Sequence, residues 1–227
     1  MKWASLAFAA VLFLSASAAS AATIDLDSWA FNVDGTTYQS QLGDVLPASF
    51  NTAGFNFTTG LGVMSIHVTG AGGHSVDSFF DLEIDQLVNG FSNEYGATGN
   101  APAAGQSWEI DEPGYVFGNI YNHVLTDALD NTNAILSTDP DDVSLALGWD
   151  FVLAADQEAF VTFRIGMAEP PAFYLSQTDP NSAATVFFDS PLSIRQLGPN
   201  VIPEPITMVG CLLGLGAVTR YARKRRA

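Results

Sequence analysis

Apolar and polar residues alternate with a period of two along much of the chain. Trp29, Phe31 and Val33 alternate with Ala30, Asn32 and Asp34, and Asp34-Gly35 then supplies a hairpin-type turn. Met64, Ile66 and Val68 alternate with Ser65, His67 and Thr69. Phe80, Leu82 and Ile84 alternate with Asp81, Glu83 and Asp85. Val143, Leu145, Leu147, Trp149 and Phe151 follow the same rule, as do Val161, Phe163 and Ile165. Strands with one apolar face, separated by turn residues, predict a mainly β fold: a β-sandwich or jelly-roll-like domain. One segment departs from it. From Pro113 to Leu129, Val116, Ile120, Val124 and Ala128 recur at a spacing of four, with Phe117, Tyr121, Leu125 and Leu129 beside them. That stripe predicts one amphipathic helix of about four turns across an edge or end of the sandwich, with Pro113 in its first turn.

The two ends follow neither pattern. Lys2 precedes an apolar run from Trp3 to Leu14, and Ala16-Ser17-Ala18 and Ala19-Ser20-Ala21 both fit the small-x-small rule of a signal peptidase. Residues 1–21 therefore read as a secretory signal peptide, cut after Ala21, with Ala18 and Ala22 as alternative sites. At the other end, 198–202 reads as a linker, opened by Gly198-Pro199-Asn200. Pro203-Glu204-Pro205 follows, then the apolar run Ile206–Val218 and the basic residues Arg220, Arg223, Lys224, Arg225 and Arg226. A transmembrane helix should run from about Pro205 to Arg220. The run is shorter than the ~20 residues a bilayer asks for, and Tyr221 and the arginine stems extend it. The basic end stays in the cytoplasm, which leaves residues 22–197 outside as one domain.

Charge separates the middle from the ends. The chain has 227 residues and a net charge of −16. Between Ala22 and Ile202, however, Arg164 and Arg195 are the only cations, against 23 acidic residues, a net −21. Such a surface repels nucleic acid and anionic membranes and attracts cations such as Ca²⁺. The single cysteine, Cys211, lies in the C-terminal apolar run, so the middle forms no disulfide and no Cys-ligated zinc site.

Catalytic motifs are absent: the sequence has no Gly-x-Ser-x-Gly, His-Glu-x-x-His or P-loop. His67 falls on the polar side of a strand, His123 beside the helical stripe, and His74 at the Gly-rich turn Gly70–Gly73. None has metal-ligand spacing to another histidine. Asp81, Glu83 and Asp85 line one face of a strand, while Asp139, Asp141 and Asp142 crowd a loop around Pro140. That loop is the candidate Ca²⁺ site, since Ca²⁺ takes oxygen ligands and relieves the repulsion of close carboxylates; a solvated acidic turn is the alternative. Trp29 and Trp149 alternate like core residues, and Trp108 is the aromatic least committed to a core.

The tail as a whole resembles the PEP-CTERM sorting signal recognised by exosortases. Pro203, Glu204 and Pro205, the apolar run and the basic end carry the resemblance, with Ile202 and Ile206 flanking the motif where the family often has Val and Ser or Thr. The resemblance implies an exosortase, a membrane protease with a transpeptidase-like cysteine, as processing partner after signal peptidase. It implies cleavage near Pro203-Glu204-Pro205, and a Gram-negative source that makes exopolysaccharide. The precursor would sit in the inner membrane facing the periplasm, and its product at the cell surface or in a biofilm matrix. Three function classes follow: a non-enzymatic structural or adhesive surface protein, a carbohydrate-binding module that is possible with Ca²⁺, and a glycan-active enzyme.

Overall fold

A computed structural model describes residues 22–90 and 92–198. The signal peptide, the linker beyond Gly198, and the tail with Pro203, Glu204, Pro205 and its five cations lie outside the described residues. The strands in chain order are β1 (Ile24–Val33), β2 (Thr36–Gln39), β3 (Phe50–Phe55), β4 (Gly62–Thr69), β5 (Gly72–Ile84), β6 (Tyr95–Gly99), β7 (Gln106–Asp111), β8 (Ser144–Leu153), β9 (Gln157–Gly166), β10 (Tyr174–Asp179), β11 (Ala184–Asp189) and β12 (Leu192–Gln196). Among the described residues two short α-helices join them, α1 (Gln86–Asn89) and α2 (Ile120–Thr126). Among the described residues no helix is long and apolar enough to cross a membrane.

The chain is mainly β, as the alternation predicts, and its strands form two antiparallel sheets. One has the order β2-β1-β5-β8-β7; the other runs β3-β4-β9-β11-β10-β6, with β12 also paired to β9. β11 and β12 lie along β9 in one register, Asp189 opposite Arg164 and Leu192 opposite Val161. They are one strand interrupted at Ser190-Pro191, where proline has no N–H to give the ladder.

Inward-facing residues of both sheets share one core. Phe31 (β1), Phe80 and Leu82 (β5), Leu145 and Leu147 (β8) meet Met64 and Ile66 (β4), Val161 and Phe163 (β9) and Phe188 (β11). Phe31 packs edge-on against Phe80 at 5.6 Å, and Phe80 against Phe188 at 5.3 Å. Polar groups also cross between the sheets. Gln177 on β10 donates through Nε2 to the Leu82 carbonyl and to Glu94 Oε2. Trp149 Nε1 donates to Ser190 O at 3.0 Å. The Asp34-Gly35 turn forms as expected: φ is 51° and 80°, and Val33 pairs with Thr36 across it.

The helix is where the expectation needs correction. The periodic stripe runs from 113 to 129, but only Ile120–Thr126 is helical, half the predicted length. Gly114 and Gly118 hold φ of +93° and +76°, which a right-handed helix excludes. Asp127 ends the helix at φ 55°. Nor does α2 sit at an edge or end. Ile120 and Val124 pack on Ala30, Phe79 and Ala146, on the outer face of the five-stranded sheet. Small residues on β1 and β8 let the helix approach, and Phe79 rises between them. Asn32 secures the contact: its Nδ2 donates to the Val124 carbonyl at 3.0 Å and its Oδ1 accepts from Gly35 N–H at 2.9 Å. One buried amide thus caps the helix C-terminus and braces the β1–β2 turn.

Candidate functional site

Residues of β5 alternate between the core and the outer face. Val76, Phe80, Leu82 and Ile84 enter the core, while Phe79 joins the outer cluster beneath α2. By the same alternation Asp77, Asp81 and Glu83 belong to the outer face. That face is covered, so its acids are buried: Asp81 is 2% exposed and Glu83 5%. Asp85 leaves the row, turning to φ 54° and accepting Thr23 N–H at 2.7 Å.

Asp81, Glu83 and Asp142 converge there. One carboxylate oxygen from each lies within 4.8 Å of the others. Asp81 is oriented by Ser144 Oγ, which donates to its Oδ1 at 2.8 Å, and by Ser28 Oγ, at 3.4 Å from its Oδ2. Glu83 Oε2 is buried with no hydrogen-bond partner. Burial, then the neighbouring carboxylates Asp142, Asp81, Glu94 and Asp27, push Glu83 up to about 9. Burial also raises Asp81 to about 7, against the pull of Ser144, and Asp142 to about 6, where Asp141 and Glu112 add repulsion. A pocket of about 290 Å³ reaches Asp142 from outside, lined also by Glu112, Pro113, Tyr115, Val116, Phe117 and Asp141. Tyr115 shares a hydrogen bond between its hydroxyl and Ser28 Oγ. Val116 and Phe117 are exposed.

The three aspartates singled out from sequence take different places. Asp139 is exposed, its N–H bonded to the Leu136 carbonyl at 2.9 Å. Asp141 pairs its backbone with Glu94, and its Oδ1 accepts the Asp142 N–H at 2.9 Å. Asp142 alone joins Asp81 and Glu83. Among the described residues, the second group with metal-ligand spacing is Glu109, His123 and Asp130. It is internally bonded: Glu109 Oε2 lies 2.8 Å from His123 Nδ1 and accepts Asp130 N–H at 3.3 Å.

The other histidines are also occupied. His67 Nε2 lies 2.8 Å from Glu158 Oε2, its ring stacked on Phe160 at 4.6 Å. His74 belongs to β5 rather than to the turn before it; Nδ1 lies 2.8 Å from Asp34 Oδ2 and Nε2 3.1 Å from Gly70 O. Two acceptors favour a doubly protonated ring, and the Asp34 hydrogen bond raises its pKa. No nitrogen is left to act as a base. Trp149 is buried in the core, and Trp29 and Trp108 pack against it.

Sequence reasoning placed Asp81 and Glu83 on one strand face without marking them as buried or joining them to Asp142. Phe79 is the signal that was there to read: it stands between Asp77 and Asp81 on the side the alternation marks as polar, and a large aromatic there needs a cover. No family model, curated protein or solved structure matches the chain.

Proposed function

We propose that the chain is an exported protein of the cell surface or extracellular matrix, sorted by an exosortase. Its β-sandwich, jelly-roll-like domain serves as a non-enzymatic structural or adhesive component associated with exopolysaccharide or biofilm. The observation that carries this reading is the order of parts in the tail: Pro203-Glu204-Pro205, an apolar run, and five basic residues. The signal peptide at the opposite end demands the same orientation, with the acidic middle outside. Cations at the tail oppose its translocation, at about 2.5–3.5 kcal/mol for each charged side chain at a helix centre. The helix then stops in the inner membrane and presents the motif at its periplasmic surface. Two prolines around Glu204 hold that stretch extended for a protease.

Intact-mass measurement of the extracellular protein tests this. The product should lack Cys211 and all five tail cations, and a strain without its exosortase should retain the full tail in the membrane. Residues 206–227 still attached to the extracellular product would overturn the reading.

The pocket favours a second reading, carbohydrate binding. It sets the half-exposed Tyr115 and the exposed Phe117 beside Glu112, Asp141 and Asp142, aromatic rings next to hydrogen-bond acceptors. A glycan array probed with and without Ca²⁺ distinguishes a binding module from a purely structural domain.

A further inference from the structure

We infer that Asp81, Glu83 and Asp142 bind one hard divalent cation of the Ca²⁺ class, which enters through the pocket beside Tyr115 and Phe117. Three carboxylate oxygens within 4.8 Å of one another repel strongly in a buried setting. Ordinary proteins relieve such repulsion with a lysine or arginine, or with hydrogen-bond donors. Neither is at hand for Glu83. Its Oε2 is buried, at 5% exposure for the residue, without any donor. Between Ala22 and Ile202 the two arginines are the only cations, and both stand on the other sheet. Arg164 on β9 is paired with Asp189, and Arg195 on β12 lies over the Phe160 ring at 4.8 Å. Positive charge must therefore come from outside the protein, as protons when the site is empty and as a metal ion when it is filled.

The donor set chooses the ion. All three ligands are carboxylates, which select hard cations over soft ones. Three carboxylates hold up to six oxygens, within the six to eight that Ca²⁺ accepts. Mg²⁺ sheds water reluctantly and prefers sites that leave several waters in place; two of these three ligands are almost wholly buried. Ser144 and Ser28 hold Asp81 in place by donating to it, as outer-shell partners of metal ligands do. The Glu109–His123–Asp130 group differs on this point, since its buried glutamate is already bonded to His123 and to a backbone N–H.

The site is independent of the sorting reading, and its test leaves the tail untouched. The full chain, purified in detergent and stripped with EDTA, is titrated with CaCl₂ by calorimetry and melted in CaCl₂ and in EDTA. One Ca²⁺ should bind per chain and raise the melting temperature, since a ligand of the native state stabilises it. Glu83→Gln should lose the Ca²⁺-dependent rise yet melt in EDTA no lower than the parent, because an amide replaces a buried carboxyl that has no partner there. Asp142→Asn, on the half-exposed side, should lose the rise as well and decides the matter if Glu83→Gln does not fold. Asp139→Asn should keep it. Identical melting of the parent in CaCl₂ and EDTA would overturn the site. So would a full Ca²⁺ response in Asp142→Asn, or loss of response in Asp139→Asn alone. An equal or larger gain from MgCl₂ would overturn the assignment to Ca²⁺.

Discussion

Asp77 shows how one residue ties the fold to pH. It is 2% exposed, and its Oδ2 has no donor from the protein. The neighbouring Asp127 carboxyl, from the end of α2, favours the protonated form of Asp77 by repulsion and by hydrogen bonding. Asp150 on β8 adds repulsion, and Asp34 and His74 line the same 570 Å³ pocket with Asp127 and Asp150. Burial first, and Asp127 second, raise Asp77 from 3.8 to about 8. The folded protein therefore holds a proton that the unfolded chain releases above about pH 4. This contribution is complete below that pH and is lost as pH rises through about 8. Asp77→Asn puts an amide where the proton stood. It should gain stability over the parent at about pH 9, on the order of a few kcal/mol, and gain little at about pH 4. Melting of both proteins across that range checks the prediction; parallel pH curves would refute it.

At the scale of the element, the 112–126 segment deserves its own test because its composition and its backbone disagree. Residues 113–129 carry a helical stripe, yet the chain reserves the helix for Ile120–Thr126 and lays the preceding turns down as a loop beside the acidic cluster. Gly118 holds that loop. Its φ is +76°, and a Cβ there would meet the Glu112 carbonyl oxygen at 2.2 Å and Asp111 Oδ2 at 3.0 Å. The same Asp111 Oδ2 accepts the Asn119 N–H at 2.8 Å. Gly118→Ala should therefore destabilise the protein by about 1–3 kcal/mol. A helix through this position would give the opposite sign, since alanine is favoured over glycine by about 1 kcal/mol inside helices. Urea unfolding of the two proteins reads the sign directly.

Over the whole molecule, charge opposes compaction. The net −21 between Ala22 and Ile202 resists folding through self-repulsion, which salt screens. Raising NaCl from about 0.01 M to about 0.1 M shortens the Debye length from about 30 Å to about 10 Å. With EDTA present, the melting temperature should rise over that interval; a flat or falling trend would contradict the picture. What the sequence alone determined is local or one-dimensional: the strands now seen as β1, β4, β5, β8 and β9, the Asp34-Gly35 turn, and a charge balance without lysine between Lys2 and Lys224. Side-chain alternation follows from the two-residue repeat of an extended backbone, so it is written in residue order. The remaining strands carry weaker alternation, as in β3 with Thr52, Ala53 and Gly54, and are held by their partners across the sheet. Only the tertiary structure brought Asp142 to Asp81 and Glu83, across some sixty residues, and placed the loop before α2 beside them, with α2 itself over Phe79. Alternation says which residues share a face but not what covers it. That is decided by packing between distant segments, and here it turns a polar strand face into a buried acidic cluster.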